Sequence, residues 1–254
     1  MIPRRIVLAA MALVVVANAE PVLVPDVSQR RVEIAYSFTG AELLMFGAIL
    51  YPGGRQPARD ADIAVVLRGP SAPVRVWEKS RLFGLIWANA DSARFQSAPG
   101  YYAIASSRPI SHIVDERTAA IYELGLGNIQ ISPSDPMSSQ KSNRFEQGMA
   151  ELRRKSRLFD ETSNNVEITD GVLYRARFSI PARVPTGEYT AETFLIRDGK
   201  VLAAATREVT IAKAGFERFV ARSADENPAL YGFFAVALSL AMGWGASLAA
   251  RRFG

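Results

Sequence analysis

The chain has 254 residues, 49% of them hydrophobic, with a net charge of +5, no cysteine and one histidine. Without cysteine there is no disulfide framework, no thiolate nucleophile and no Cys-ligated metal, and one histidine rules out a His-rich metal site. The charge does not signal nucleic acid: with Arg4, Arg5, Arg251 and Arg252 set aside, residues 20–228 stand at +1, too little for a general hold on phosphates.

Met1 to Ala19 carries Arg4 and Arg5, an apolar run from Ile6 to Val16, and Ala17-Asn18-Ala19. A charged start, a short apolar stretch and an A-x-A site predict a secretory signal peptide over 1–19, cleaved before Glu20. An uncleaved N-terminal anchor is the alternative. Arg4-Arg5 raises the twin-arginine route, but the rest of that motif is weak, which favours the ordinary secretory route.

Residues 20–227 form the predicted exported domain. Val32 to Ser37 alternates and predicts a strand, and Glu42 to Tyr51 predicts a buried strand ending at Pro52-Gly53-Gly54. Asp62 to Leu67 and Val74 to Glu78 flank Gly69-Pro70-Ser71 and predict a hairpin. Leu82 to Trp87 is a further apolar piece. Phe95 to Ser106 contains a turn at Pro99-Gly100 that leads into a strand.

The character changes after Ser107, and two helices are expected as an insertion over about 113–160. The first runs from Asp115, its N-cap, to Gly125, with Ala120, Ile121 and Leu124 on one face. The second starts at Asn143 with Glu146 as capping-box partner and Phe145, Met149 and Leu152 as its stripe.

Strands resume near Val166. Gly171 to Ile180 alternates cleanly through Val172, Tyr174, Ala176, Phe178 and Ile180. Gly187 to Ile196, a turn at Asp198-Gly199 and Val201 to Ile211 predict a hairpin. Two corners, at Gly100-Tyr101-Tyr102 and Gly187-Glu188-Tyr189, place a tyrosine where a strand begins. Such a tyrosine bonds back to the loop in immunoglobulin-like sandwiches. The expected fold is therefore mainly β: one immunoglobulin-like β-sandwich, or two in tandem, with a two-helix insertion.

Ala229 to Ala250 has no charged residue. At ~1.5 Å per residue it makes ~33 Å of helix, enough to cross a ~30 Å hydrocarbon core. A transmembrane helix is expected over 228–250. Arg251 and Arg252 would hold the 251–254 tail in the cytoplasm, which leaves the large domain outside, on the far face of the membrane. Ala235, Ser239, Gly243 and Ser247 recur every fourth residue, as do Ala237, Ala241, Gly245 and Ala249 on nearly the opposite face. Small ridges at this spacing let membrane helices pack closely, so the anchor is expected to meet a membrane-protein partner as well as lipid.

No catalytic set commits to a reaction. Ser111, His112 and Asp115 do not follow a triad order, and no Gly-x-Ser-x-Gly elbow is present. Asp60 and Asp62, and Asp160 and Glu161, are paired acids with no partner placed across a cleft. No cofactor is expected. Lys141, Arg144, Arg153, Arg154, Lys155 and Arg157 against Glu146 and Glu151 give the second helix a local charge of +4. That face could touch lipid headgroups or an acidic partner, or simply be solvated.

Several short motifs keep their order along the chain. They are Phe38-Thr-Gly-Ala-Glu-Leu43 with Phe46-Gly47, Arg108-Pro-Ile110, Phe178-Ser-Ile-Pro-Ala-Arg-Val-Pro-Thr-Gly-Glu-Tyr189, Lys213-Ala-Gly-Phe-Glu217, and Pro228-Ala-Leu-Tyr-Gly232 with Gly243-Trp244. On these residues the chain resembles a family of alphaproteobacterial transmembrane proteins that has no assigned activity. The resemblance covers nearly the whole mature chain. It implies an envelope protein, encoded near sulfite-exporter-like permeases that would be candidate partners, and it transfers no functional residue. The expected role is a non-catalytic accessory or assembly subunit of a membrane complex. The alternatives are an envelope ligand- or headgroup-binding module and a periplasmic hydrolase.

Overall fold

The computed structural model describes residues 20–34, 40–54, 61–82, 85–213 and 215–253. The leader at 1–19, Asp60 and the end of the first predicted strand lie outside them. The described chain is mainly β. A four-stranded antiparallel sheet has the order β1-β3-β11-β10, formed by β1 (Val22–Val27), β3 (Ala41–Leu50), β11 (Leu173–Ile180) and β10 (Val166–Thr169). A six-stranded sheet has the order β2-β13-β12-β4-β7-β9. Its strands are β2 (Arg31–Ile34), β13 (Lys200–Lys213), β12 (Gly187–Arg197), β4 (Asp62–Arg68), β7 (Tyr102–Ser106) and β9 (Phe159–Ser163). Within it β2 runs parallel to β13 and β9 parallel to β7.

These two sheets face each other across one core and so make one sandwich. Alternation drives the packing. Tyr174, Ala176, Phe178 and Ile180 of β11 point inward with Leu43, Met45 and Ile49 of β3. The Tyr174 hydroxyl crosses the interior to Thr193 of β12, 3.4 Å away. β4 is buried from Asp62 to Leu67, because its other face is covered too. Short helices α1 (Ile110–Ile113) and α2 (Glu116–Ile121) lie there. The Tyr122 ring, just past α2, meets Phe194 of β12 edge-on at 5.5 Å. Each large apolar side chain buried this way stabilises the fold by about 1.5–3 kcal/mol.

A third sheet stands apart, in the order β5-β6-β8. It contains β5 (Ser71–Leu82), β6 (Ile86–Pro99) and the two-residue β8 (Ser132–Pro133). Helix α3 (Ser139–Lys155) covers it, and Phe145 and Met149 join Ala93, Phe95 and Ala98 in a small separate core. Both predicted helices lie in the one stretch between β7 and β9, but they cover different sheets. The first closes the sandwich and the second closes the small sheet.

Several expectations need correction. Asp62–Leu67 and Val74–Glu78 do not pair with each other: β4 pairs with β7 and β12, and β5 pairs with β6. Glu42 to Tyr51 is a half-buried strand, with Phe46 and Leu50 turned outward. The first helix is shorter than expected, and it buries Ala119 while Ile121 stays exposed. Helix α3 begins earlier than Asn143. Ser138 is its N-cap and accepts the Lys141 N–H at 3.3 Å, while Glu146 accepts the Ser142 hydroxyl at 2.5 Å instead of closing a capping box. Leu152, assigned to the stripe, is 60% exposed.

Strand β1 carried no sequence expectation, because Pro25 interrupts it. Proline is tolerated there because β1 is an edge strand. The β12–β13 hairpin matches its prediction: Asp198 (φ 50°) and Gly199 (φ 79°) both take the positive φ that a two-residue hairpin turn requires.

Candidate functional site

The anchoring end of the sandwich is set by sheet register. Thr190 of β12 stands opposite Arg68 of β4 on one side and Glu208 of β13 on the other. The last residue of β4 and the final stretch of β13 therefore leave the sheet at the same end. From β13 the chain enters helix α4 (Gly215–Glu226) and then helix α5 (Pro228–Phe253). The junction is continuous in hydrogen bonding. Asn227 donates its N–H to the Ser223 carbonyl at 3.2 Å and accepts the Tyr231 N–H at 2.9 Å. Pro228 has no N–H to lose and suits a first helical turn.

Among the described residues one helix, over Pro228–Ala246, is long and apolar enough to cross a membrane, and none of it is buried against the rest of the protein. It is apolar all round, with Leu230, Phe233, Phe234, Leu240 and Trp244 more than half exposed. A helix of this kind is stable in hydrocarbon and not in water. Ser239 donates its hydroxyl to the Ala235 carbonyl at 2.8 Å, so the hydroxyl is satisfied within its own helix. A methyl group added at Gly243 or Gly245 would meet nothing within 4 Å. Ala237 and Ala241 are equally open, while the side chains of Ser247 and Ala249 lie outside the described residues.

The same end is braced by two tyrosines. Tyr189 donates its hydroxyl to the Pro185 carbonyl at 2.6 Å, the local back-bond expected of a corner tyrosine. Tyr101 does something different. Its hydroxyl reaches the Ser179 carbonyl at 3.2 Å and so ties the root of β7 to the facing sheet. The two rings lie 5.8 Å apart. Burial pushes both phenols well above their usual range. Tyr102, also buried, donates to the Glu123 carbonyl at 2.7 Å and accepts the Gly125 N–H at 3.1 Å.

The basic residues of α3 are largely engaged with the protein itself. Arg144 bridges Glu78 at 3.0 Å and Asp91 at 3.5 Å, and Lys141 pairs with Asp91 at 2.7 Å. Lys155 pairs with Glu151 of its own helix at 2.8 Å. Arg153 is half-buried and directs a guanidinium N–H at the Gly100 carbonyl, 3.5 Å away, and burial lowers its pKa. Arg157 takes a positive φ of 57° just past the helix. Arg154 is left facing solvent beside it.

The acids and the histidine do not assemble. Ser111 and His112 are exposed, and Asp115 spends its carboxylate on the Thr118 N–H at 2.7 Å as the α2 N-cap. Asp62 is buried. Arg108 grips its two oxygens at 2.9 and 2.5 Å, and the Ser107 hydroxyl adds a bond of 2.8 Å. Burial would raise the Asp62 pKa, but the Arg108 and Ser107 contacts outweigh it and hold the carboxyl below its usual value. Asp160 accepts the Thr162 hydroxyl at 2.9 Å, and Glu161 accepts the Leu126 N–H at 3.0 Å. Asp160 also lines a 390 Å³ cleft with Glu42, Asn165 and Arg177 between the sheets. Among the described residues no group of acids and histidine has the spacing of a metal site.

One surface escaped the sequence reading. On the outer face of the four-stranded sheet, Val22, Val24, Phe46, Leu50 and Leu173 are each at least 40% exposed. Register makes them neighbours: Val22 faces Leu50, Val24 faces Ala48, and Ala48 faces Leu173. They line and flank a 440 Å³ depression rimmed by Asp26, Thr169 and Arg175. The signal was present in the apolar outward positions of β3, which a wholly buried strand would have hidden.

Among the described residues, a sandwich followed by one all-apolar helix defines a membrane-anchored β protein. Residues 22–252 match the family described as "Putative transmembrane protein (Alph_Pro_TM)", and the chain belongs to that family. None of the curated proteins matches it. Among solved structures it is similar to Spo0M, the sporulation control protein of Bacillus subtilis, at 13% identity with a TM-score of 0.29. That alignment covers 82% of this chain and 56% of the other, so the chain spans just over half of that structure's length.

Proposed function

We propose that this protein is a non-catalytic accessory subunit of an inner-membrane complex, an exported immunoglobulin-like sandwich held beside an integral-membrane partner by α5. The observation that carries the reading is the apolar strip on the outer face of the four-stranded sheet. Contiguous exposed apolar surface with a polar rim is the mark of a protein-docking face. Here it spans three strands in register. The small ridges of α5 supply a second contact of the kind membrane helices use.

The finer classification has its own support. The order β1-β3-β11-β10 facing β13-β12-β4 follows the strand order of immunoglobulin sandwiches, and the Tyr189–Pro185 bond is their corner device. The leader sequence supports export, and Arg251 and Arg252 support a cytoplasmic C-terminus. A catalytic reading is disfavoured because Asp62, Asp115 and Glu161 already bond Arg108, Thr118 and Leu126 within the fold.

The test is recovery of partners from detergent-solubilised membranes. A Phe46→Lys variant, and separately a Gly243→Leu, Gly245→Leu variant, should each lose the partners that the native chain retains. Unchanged recovery with both variants would contradict the proposal.

A further inference from the structure

The β5–β6 hairpin does not belong to the sandwich, and its far end is unusual for a soluble surface. Leu85 is 86% exposed, Ile86 67% and Trp87 61%, with Trp77 further down the arm at 49%. From Lys79 to Ala90 the sequence has two positive charges and no acid. Arg81 stands directly opposite Trp87, with its guanidinium 5.0 Å from the ring, and Arg75 stacks on Trp77 at 5.5 Å. The acids of the arm lie nearer its root, where Arg144 takes Glu78 and Asp91 and Lys141 also takes Asp91.

The direction of this arm follows from the backbone. The β4–β7 ladder runs on into the β5–β6 ladder through two hydrogen bonds of 2.9 Å, Gly69 N–H to the Tyr101 carbonyl and Gly100 N–H to the Pro70 carbonyl. The two hairpins are thus one ribbon. It leaves the sandwich at the Arg68 end, which register places beside the exit of β13 toward α5. The two paths are comparable in length. From the Arg68 level to the tip is ~45 Å of extended strand. From the Glu208 level to Pro228 is ~17 Å of strand and ~18 Å of helix.

We infer that the hairpin tip is a second membrane contact, with Leu85, Ile86 and Trp87 entering the headgroup boundary of the leaflet that α5 enters. Trp suits that boundary because its ring is apolar and its N–H is polar. Arg81 sits level with Trp87 and Lys79 lies two residues further from the tip, where anionic headgroups lie, and a basic flank strengthens such contacts. A lipid occupant fits better than a protein groove. The chain is membrane-anchored, the tip leaves from the anchoring end, and its flank carries one sign of charge. The contact fixes the tilt of the sandwich over the bilayer, which a single helical tether leaves free.

The absence of native cysteine makes the test direct. Single-cysteine variants Leu85→Cys and Ser111→Cys of the full chain carry an environment-sensitive fluorophore and are reconstituted into vesicles of phosphatidylglycerol and phosphatidylethanolamine with no other protein. The Leu85 label should lose about tenfold in iodide quenching relative to the Ser111 label, and should be quenched by lipids spin-labelled near the headgroup. Arg81→Glu with Lys79→Glu should return the Leu85 label toward water. Equal iodide quenching at both positions would overturn the inference, as would shielding seen in native membranes but absent from the pure-lipid vesicles, which would mark a protein partner. Because these vesicles contain no partner, failure here leaves the accessory-subunit reading untouched.

Discussion

Tyr189 bonds the Pro185 carbonyl at 2.6 Å, closing the corner from which β12 starts. Its ring also fills the space over Gly69, where a methyl group would stand 2.8 Å from the ring edge. The hydroxyl and the ring are therefore separable by mutation. Tyr189→Phe should cost about 1–2 kcal/mol through the lost bond. Gly69→Ala should cost about 1–3 kcal/mol through overpacking. Urea unfolding of the full chain in detergent measures both. A neutral Gly69→Ala would mean that the Tyr189 ring does not close over this position.

The Asp62–Arg108 pair predicts a definite pH dependence. The folded carboxyl titrates below its unfolded value of ~3.9. Its stabilisation is therefore present above that value and is lost as pH falls through the folded one. The stability gap between the native chain and Asp62→Asn should be widest near neutrality and should shrink on acidification below pH ~4. A gap that stays constant from neutral to acid would contradict the role assigned to Arg108.

The small sheet has its own core, so it should open on its own. Phe145→Ala removes its largest helix-side anchor and should cost about 3–5 kcal/mol locally. Hydrogen exchange should rise across 71–99 and 139–155 while β3, β11 and β12 keep their protection. Uniform loss of protection would show that the two cores fold as one unit.

Legibility in the sequence followed the clarity of the physical signal. Strand β11 was readable because one face is buried and one solvated, and the β12–β13 turn because Asp198-Gly199 has a backbone preference of its own. Gly69-Pro70 misled for the opposite reason. Glycine and proline suggest a reversal, but here the ribbon runs on past them through the Gly69–Tyr101 and Gly100–Pro70 bonds. The apolar Leu82 to Trp87 resembles a buried strand in sequence, and nothing local shows that Leu85, Ile86 and Trp87 stand exposed at the end of a hairpin. Helix α4 is amphipathic by spacing, with Phe216, Phe219 and Val220 against Glu217, Arg218 and Arg222, yet its shortness beside the anchor hid it. The basic helix was correctly seen as a helix. The acids that pair with Lys141 and Arg144 come from β5 and β6, 50 or more residues earlier, and no local reading supplies them.

In the proposed topology, the C-terminal helix separates an exported sandwich from a short cytoplasmic tail. A membrane-impermeant maleimide applied to intact spheroplasts tests it on two single-cysteine variants of this cysteine-free chain. The Ser111→Cys protein should label fully without lysis, and the Phe253→Cys protein should label only after it. Labelling of Phe253→Cys in intact spheroplasts, with Ser111→Cys protected, would contradict the account.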